Sequence, residues 1–331
     1  MPDVKVLQYG LGPIGCAITR VATDRPGLQV AGGVDIDPAK AGRNLGEVIG
    51  LARAIDAKVW SSAEEALVEA RPQVTLHSTS SSLPAVLDQL LRVLEAGSSV
   101  ISTCEELAYP FSRYPVESTR LDSAAKDSGV VVLGTGINPG FAMDTLPSVL
   151  TAVAERVDRL EVSRTVDASL RRLPLQQKIG AGLDLVEFER RAAQGTLRHV
   201  GLEESVRLIA AALGWKVEPI DFMLEPIIAE RERRSPELVA RVGQAAGVHQ
   251  RAIGWVGGQE RLVFDLKMLL EADEPGDEVR IVGDPPLHLR LLGVHGDVAT
   301  AAIVVNAIPR VLAAPPGLRT MLDIPPVTRW S

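Results

Sequence analysis

Short β-rich runs alternate with stretches of helical periodicity along the first 140 residues. Apolar residues follow one another in the predicted strands, which lie at 4–9, 28–34, 74–77, 99–102 and 130–134. Apolar residues recur at helical spacing in the segments between them, at 14–21, 44–50, 62–70, 83–95 and 119–128. Strands separated by helices predict βαβ units, and hence an α/β domain with a doubly wound parallel sheet that helices cover on both faces.

Beyond residue 140, the strands are predicted to be joined mostly by turns. Alternating side chains at Leu160, Val162 and Arg164 predict a half-buried strand at 158–167. Further strand-like segments lie at 215–220, 260–270, 278–283 and 287–292. Helices are predicted at 141–154, 185–193, 203–213 and 298–312, the last of which is long and apolar and ends before Pro315 and Pro316. This pattern predicts a second, α+β domain with a mainly antiparallel sheet that can carry a dimer interface, and we expect the last helix to return to the first domain.

The composition is that of an ordinary globular protein, with 46% hydrophobic and 23% charged residues among 331 and a net charge of −7. At about 150 residues per domain, this length predicts two domains. The sequence has no basic run with interleaved aromatic residues, which argues against a nucleic-acid partner. It has no leader pattern and no uninterrupted apolar stretch of about 18 residues, so no membrane association is expected. The two cysteines, Cys16 and Cys104, fit a reducing compartment and predict a cytoplasmic protein.

A G-x-G-x-x-G motif follows the first strand and opens the first helix, and comprises Gly10, Leu11, Gly12, Pro13, Ile14 and Gly15. Glycine permits a tight turn, close approach of the backbone to a pyrophosphate, and close packing of helix on strand, while the helix N-terminus attracts the anion. The motif predicts a dinucleotide-binding Rossmann domain over 1–140, completed by 298–331. The region 141–297 is then predicted to bind substrate and to dimerise.

Asp35 closes the second strand 20 residues after Gly15. A carboxylate there accepts hydrogen bonds from the adenine-ribose hydroxyls and repels a 2′-phosphate, which favours NAD over NADP. Asp37 is a second candidate acid. Lys40 and Arg43 are close enough along the chain to tolerate a phosphate, so NADP stays a secondary possibility.

Small hydroxyl residues follow the strand at 74–77. Ser78, Thr79 and Ser80 lie where ligands bind in a doubly wound sheet, beyond the carboxyl ends of the strands, and are candidates to line the nicotinamide ribose. Ser82 equally suits an N-cap of the following helix.

Six longer runs carry a resemblance to a known family. They are STCEELAYP at 102–110, GTGINPGFAMDTLP at 134–147, RTVDASLRRLPLQQKIGAG at 164–182, HVGLEES at 199–205, GVHGDVATAAIVVNAIPRVL at 293–312 and PGLRTMLD at 316–323. Through them nearly the whole chain resembles the 2,4-diaminopentanoate dehydrogenase family and its native amine dehydrogenase relatives, which share a dihydrodipicolinate-reductase-like N-terminal domain. The resemblance implies oxidative deamination of a small-molecule amine, in which hydride passes to the nicotinamide and the resulting imine is hydrolysed to a ketone and ammonia.

The family resemblance also implies that a glutamate of the STCEEL run faces the amine. The candidates are Glu105 and Glu106, and we favour Glu105. A carboxylate there holds the ammonium form, accepts a proton from the amine and activates the water that attacks the imine. The alternative is that one of the pair is structural and caps the next segment. Thr103 and Cys104, from the same run, are expected to line the cofactor.

Other residues of the matching runs are candidates for the same site. Asn138, with Pro139, is expected to position the nicotinamide carboxamide. Phe141 either forms an apolar wall of the substrate pocket or packs in the core. Thr300 and Asn306 either face the bound ligands or join the last helix to the sheet.

Cationic residues occupy the place where dihydrodipicolinate reductases carry a His-His-x-x-x-Lys signature. Here that place holds Arg171, Arg172, Gln176 and Lys178, and the absent histidine pair counts against a dicarboxylate imine reductase. One cation, with Arg171 and Lys178 as candidates, is expected to hold a substrate carboxylate. The alternative is a solvated helix end.

His199 and His295 lie in matching runs and either line the substrate pocket or bond a backbone carbonyl. The histidines show no metal-ligand spacing, so no metal is expected. We expect a homodimeric NAD(P)-dependent oxidoreductase. Two alternatives stay open: a dihydrodipicolinate-reductase-like imine reductase, and a non-catalytic protein that senses NAD(H).

Overall fold

The computed structural model of the chain describes residues 3–197 and 199–330. Contacts divide the chain into two compact units. The first comprises Met1–Phe141 and His295–Ser331, and the second comprises Ala142–Val294.

Strands and helices alternate in the first unit, and strands dominate the second. The strands are β1 (Val4–Tyr9), β2 (Leu28–Val34), β3 (Val59–Trp60), β4 (Val74–His77), β5 (Ser99–Ser102), β6 (Val131–Gly134), β7 (Arg156–Asp167), β8 (Ile220–Ile228), β9 (Arg233–Arg234), β10 (Val239–Ala240), β11 (Ala245–Val256), β12 (Gln259–Leu269), β13 (Gly276–Asp284), β14 (Leu287–Leu291) and β15 (Gly317–Arg319). The α-helices are α1 (Pro13–Thr23), α2 (Leu45–Val48), α3 (Ala63–Ala70), α4 (Leu83–Glu95), α5 (Pro115–Asp127), α6 (Thr145–Leu150), α7 (Leu173–Lys178), α8 (Leu185–Ala193), α9 (Leu202–Ala212), α10 (Gly296–Asn306) and α11 (Ile308–Ala313). Short 3-10 helices lie at Glu105–Leu107, Thr151–Val153 and Ala168–Leu170.

In the first unit, seven strands of the described residues form one sheet in the order β15-β6-β5-β4-β1-β2-β3. Each neighbouring pair is parallel. The order reverses beside β1, so β1 and β4 leave a crevice at their carboxyl ends, where ligands bind in folds of this type. The predicted Rossmann fold class is therefore confirmed.

Successive side chains of this sheet enter two different cores. Leu7 packs with residues of α3 and α4 on one face, whereas Val6 packs with α1 and α10 on the other. Helices thus cover both faces, which explains why the strands are apolar without strict alternation.

The stretch Gly296–Ala313 is, among the described residues, long and apolar enough to cross a membrane, with a mean hydropathy of 1.4 over 18 residues. Asp297, Asn306 and Arg310 interrupt this stretch, so it does not contradict the expectation that the sequence has no uninterrupted apolar run of about 18 residues. The stretch comprises α10 and α11, and Val304 and Ile308 in it are buried against the sheet beside Ile101. Its apolar character is thus explained by burial in the first unit.

In the second unit, six strands of the described residues form a sheet in the order β14-β13-β7-β12-β11-β8. β7 and β12 pair in parallel, and the other neighbours pair antiparallel. Apolar residues on one face, such as Val162 and Phe264, pack in a core that also includes Phe188 of α8 and Val206 of α9.

Several predicted elements of the second unit were wrong. The segment 215–220 is not a strand in the structure, which begins β8 at Ile220, and the predicted helix 141–154 contracts to α6 and a 3-10 turn. The internal strand β11, which contains His249, was missed. Small residues such as Gly247 weaken the apolar alternation, yet a Cβ there would lie 1.9 Å from the Met268 carbonyl oxygen, so the close strand spacing selects glycine.

Candidate active site

The turn between β1 and α1 carries the glycine motif, and its glycines meet different steric demands. Gly10 has a φ of +91°, and a Cβ there would lie 2.7 Å from the Ser78 carbonyl oxygen. A Cβ on Gly15 would lie 1.9 Å from the Gly10 carbonyl oxygen. At Gly12, by contrast, a Cβ would meet no atom of the described residues within 4 Å, and Pro13 begins the helix. The turn is therefore tightly packed at Gly10 and Gly15 and open at Gly12, as close approach of the backbone to a pyrophosphate requires.

Asp35 ties the end of β2 to the glycine turn. Its carboxylate accepts hydrogen bonds from the Leu11 N–H at 2.8 Å and the Asp37 N–H at 2.9 Å, and forms an ion pair with Lys40 at 3.1 Å. Partial burial opposes ionisation, but these partners outweigh it and hold the pKa of Asp35 below its usual value. Asp35 is thus ionised beside the turn, whereas Asp37 caps the following segment through the Ala39 N–H.

The hydroxyls after β4 bond to the protein itself. Ser78 Oγ donates to the Gly10 carbonyl at 3.1 Å and accepts from Gln8 Nε2 at 2.9 Å, so it fastens the glycine turn to β4. Thr79 Oγ1 donates to Gln89 Oε1 at 2.8 Å, and Ser80 Oγ accepts from the Ser82 N–H at 3.2 Å. Thr79 and Ser80 are exposed at this edge, so of the three they are the better placed to meet a ligand.

The two candidate glutamates have different surroundings. Glu106 is buried, its Oε2 accepts from the Leu83 N–H at 2.8 Å at the start of α4, and its Oε1 lies 3.4 Å from Arg113. It therefore caps α4, a role for which Ser82, at the N-cap position, supplies no side-chain hydrogen bond within the described residues. Glu105 is half-buried at the first position of the 3-10 turn that follows β5.

The turn that carries Glu105 is anchored at both ends. Ser102 Oγ accepts from the Cys104 N–H at 3.1 Å, and the Glu106 N–H donates to the Ser81 carbonyl at 3.3 Å. Burial, and then the charge of Glu105, raise the pKa of the Cys104 thiol, which donates to the same Ser81 carbonyl at 3.2 Å. Cys104 is therefore a buried structural thiol and not a nucleophile, while Thr103 is half-buried beside it.

The loop after β6 rests on the C-terminal helix of the same unit. The Ile137 N–H donates to Thr300 Oγ1 at 3.3 Å, which favours a joining role for Thr300, and Asn138 is buried in this loop. Phe141 and Ile14 pack against the apolar core of the unit, as the alternative interpretation of Phe141 proposed.

Two further candidates lie on α10. Asn306 Oδ1 accepts from the Trp330 N–H at 3.1 Å and so holds the C-terminal segment. His295 is exposed at the N-cap of α10, without a side-chain capping bond in the part of the chain that the structure describes.

The remaining candidates lie in the second unit. Arg171 and Lys178 are half-buried at either end of α7, between which Gln176 is buried and donates to the Arg171 carbonyl at 2.7 Å. The His199 N–H donates to Gln250 Oε1 at 2.6 Å, and Gln250 Nε2 returns a bond to the His199 carbonyl at 3.2 Å. These bonds fix the backbone at Arg171 and at His199.

Sequence reasoning missed the residues that support the site from behind. Gln8 holds Ser78, Arg113 pairs with Glu106, and Gln89 bonds both Thr79 and His77. A polar residue in an apolar strand marks Gln8, and a polar residue in an amphipathic helix marks Gln89, whereas Arg113 lies in a turn and carries no such signal. Within residues 3–197 and 199–330, no group of three or more His, Cys, Asp or Glu side chains is arranged to hold a metal ion.

Comparison with known proteins gives consistent matches along the chain. Residues 141–330 match the family model of the 2,4-diaminopentanoate dehydrogenase C-terminal domain. The chain is 34% identical to the 2,4-diaminopentanoate dehydrogenase of Acetoanaerobium sticklandii, over 98% of this chain and 94% of that protein. Its structure matches the amine dehydrogenase from Mycobacterium smegmatis with a TM-score of 0.89 and 25% identity, over 99% and 98% of the two chains. It also shares its fold with GenD2 from gentamicin A biosynthesis, solved in complex with NAD, at a TM-score of 0.57 and 17% identity over 98% and 90% of the two chains.

Proposed function

Because the chain belongs to the 2,4-diaminopentanoate dehydrogenase family, we propose that it catalyses the NAD(P)-dependent oxidative deamination of an amine or of a diamino acid resembling 2,4-diaminopentanoate. The reverse reaction is the reductive amination of a ketone with ammonia. The observation that carries the proposal is the placement of Glu105, a half-buried carboxylate at the carboxyl end of β5 in the nucleotide-binding unit.

The glycine turn and Asp35 are the residues that would hold the cofactor. The open side of the turn at Gly12 fits a pyrophosphate, and the ionised Asp35 favours the ribose hydroxyls of NAD. Lys40 partly neutralises Asp35, so NADP is expected as the weaker alternative. When bound, the nicotinamide supplies the acceptor for the hydride that leaves the amine-bearing carbon.

Glu105 handles the protons of the reaction. Hydride can leave only the neutral amine, so the carboxylate first accepts a proton from the substrate ammonium. Loss of hydride gives an iminium carbon. After Glu105 has released its proton to solvent, it accepts a proton from the water that attacks this carbon, and a carbinolamine is formed. The C–N bond of the carbinolamine then breaks as its hydroxyl proton is transferred to the nitrogen, which yields the ketone and ammonia. Glu106 is unsuited to this work because it is buried against the start of α4.

A substrate carboxylate is assigned to the basic residues of the second unit. Arg171 and Lys178 are basic residues near the two ends of α7. Gln176 holds the Arg171 carbonyl, and Arg offers the two-pronged geometry that carboxylates prefer. A diamino acid would use this charge, whereas a simple amine would not.

The test is a panel of amines, from 2,4-diaminopentanoate to short unfunctionalised primary amines, given to the purified protein with NAD or NADP. The proposal expects reduced nicotinamide and ammonia to form in equal amounts. Formation of reduced nicotinamide with the diamino acid alone would assign the carboxylate role to Arg171 or Lys178. Formation of reduced nicotinamide with simple amines would remove that role. Cofactor binding without turnover of any amine would contradict the proposed function.

We further propose that the protein works in the cytoplasm as a homodimer. Both cysteines are free, and Cys104 is buried, which fits a reducing compartment. One face of the six-stranded sheet carries ion pairs, such as that of Arg159 with Glu161, and a second copy turned by a two-fold axis presents the same alternating charges to it. Light scattering of the purified protein tests the dimer.

A further inference from the structure

We propose that His77, acting through Ser102, is a positioning residue that fixes the turn from which Glu105 reaches the substrate. This inference rests on the proposed function. It concerns residues that lie behind the site and contact neither cofactor nor amine in the proposal.

His77 and Ser102 are the last residues of the neighbouring strands β4 and β5, and they are paired in register. Both are fully buried. His77 Nδ1 lies 2.8 Å from Ser102 Oγ, and its Nε2 lies 2.9 Å from both Gln89 Oε1 and Thr79 Oγ1. The imidazole thus connects α4 with the ends of two strands.

The direction of each hydrogen bond follows from the chemistry of the groups. Gln89 Oε1 can only accept, so His77 Nε2 carries the proton. Burial lowers the pKa of His77 to about 4, so the ring is neutral at ordinary pH and Nδ1 is an acceptor. Ser102 must then donate its hydroxyl proton to Nδ1, which turns the oxygen lone pairs of Ser102 toward the Cys104 N–H at 3.1 Å.

The last bond of this chain holds the residue that directly precedes Glu105. Ser102 therefore fixes the start of the turn, and the bonds of Glu106 to Leu83 and to Ser81 fix its end. A catalytic group displaced by about 1 Å can lose on the order of a hundredfold in rate, so this bracing bears directly on turnover. The glycine turn is held by different residues. Cofactor affinity is therefore expected to be retained when the hydrogen bonds from His77 through Ser102 to Cys104 are lost.

The sheet offers a matched control. Thr75 and Ser98 form a second buried hydroxyl pair at 2.9 Å between β4 and the residue before β5, at the opposite end of these strands. Ser98→Ala and Ser102→Ala each remove one buried hydroxyl of the same kind. A merely structural role predicts the same consequence for both.

The first experiment measures kcat for the amine, KM for the cofactor and the melting temperature in both variants. Ser102→Ala is expected to lower kcat by about tenfold to a hundredfold while KM for the cofactor stays within about twofold. Both variants are expected to lower the melting temperature by similar amounts, because each removes one buried hydroxyl. Ser98→Ala is expected to leave kcat within about twofold of wild type. Equal kcat values in the two variants would overturn the proposal.

A pair of variants at His77 separates the two sides of the ring. His77→Asn keeps an acceptor near the position of Nδ1, whereas His77→Gln keeps a polar group only near Nε2. His77→Asn is expected to retain more of kcat than His77→Gln, and the reverse order would contradict the assigned direction.

A spectroscopic measurement keeps the inference testable even if no amine is turned over, an outcome that would reject the proposed function alone. In protein with 15N-labelled histidine, His77 is expected to show the neutral Nε2–H tautomer at pH 7, with the His77→Asn variant assigning its signals. Hydrogen exchange of the Cys104 amide is expected to accelerate in Ser102→Ala and not in Ser98→Ala. A protonated or Nδ1–H imidazole, or unchanged Cys104 exchange, would overturn the proposal.

Discussion

The carboxyl end of the parallel sheet and the polar face of the second sheet use polar residues in opposite ways. At the first, Ser102 and Glu106 are buried, and each bonds a specific backbone N–H of the site. On the second, His249 bonds Asp265 at 2.8 Å and Arg251 lies 3.8 Å from the same carboxylate, with about a quarter to a third of each side chain exposed. Buried directional bonds fix atomic positions, whereas half-exposed ion pairs contribute little stability and leave the surface adaptable for association.

The largest expected effect separates the two adjacent glutamates at the polar end of the parallel sheet. Glu105→Gln removes the proton acceptor and is expected to lower kcat for amine oxidation by about 10²- to 10⁴-fold. Glu106→Gln keeps an oxygen that can cap Leu83, so kcat is expected to stay within about tenfold of wild type. Steady-state kinetics with both variants, and NADH binding as the control for folding, measure the difference. Equal losses would move the proton-handling role away from Glu105.

A buried ion pair in the second unit extends the comparison to stability. Arg164 and Asp277 are both buried and meet at 2.6 Å, so Asp277→Ala leaves an unpaired guanidinium in the core. We expect a loss of about 3–5 kcal/mol in the free energy of unfolding, measured in urea. The double variant Arg164→Met with Asp277→Leu is the control and should recover most of the loss. A loss below about 1 kcal/mol in the single variant would show that the pair is not desolvated.

Acid titration probes the buried imidazole. His77 has its pKa lowered to about 4 in the folded protein, against about 6.5 when unfolded, so the unfolded chain binds more protons between these values. Stability contributed by the neutral ring is therefore complete above pH 6.5 and falls by about 3 kcal/mol as the pH drops to 4. Chemical unfolding at a series of pH values measures this slope. His77→Asn should flatten it, and an unchanged slope in that variant would assign the acid sensitivity to other groups.

The smallest expected effect lies on the polar face of the second sheet. Arg251→Ala removes a half-exposed partner of Asp265 and Glu260 and should change the free energy of unfolding by about 0.5 kcal/mol. Urea unfolding of dilute protein at two salt concentrations checks this. A loss above about 2 kcal/mol would show that the face is desolvated, as it would be beneath a second copy of the chain.

The first unit was more predictable from sequence than the second because its signals are local. The strand at Val74–His77 and the helix at Leu83–Glu95 have the predicted bounds, since apolar runs and helical spacing mark them directly. The strand Ala245–Val256 has no such signal, because glycine and alanine replace large apolar residues where neighbouring strands approach closely.

The candidate site also contains features that local sequence signals predict and features that they do not. The glycine motif and the pair of glutamates could be located from sequence, but their division of labour could not. That Glu106 caps Leu83 depends on how α4 lies beside β5, and that Asn306 holds Trp330 depends on the path of the C-terminal segment. Such bonds join residues far apart in the chain, and spacing alone carries no information about them.

The most direct test of the central claim follows the hydride itself. Purified protein would be incubated with NAD and 2,4-diaminopentanoate deuterated at both amine-bearing carbons, and the reduced nicotinamide and the ammonia would be quantified by mass spectrometry and enzymatic assay. The proposed function predicts one deuterium in each reduced nicotinamide and an equal amount of ammonia, with both products nearly lost in Glu105→Gln. Reduced nicotinamide without deuterium, or bound cofactor that is never reduced by this amine or by the simpler amines of the panel, would contradict it.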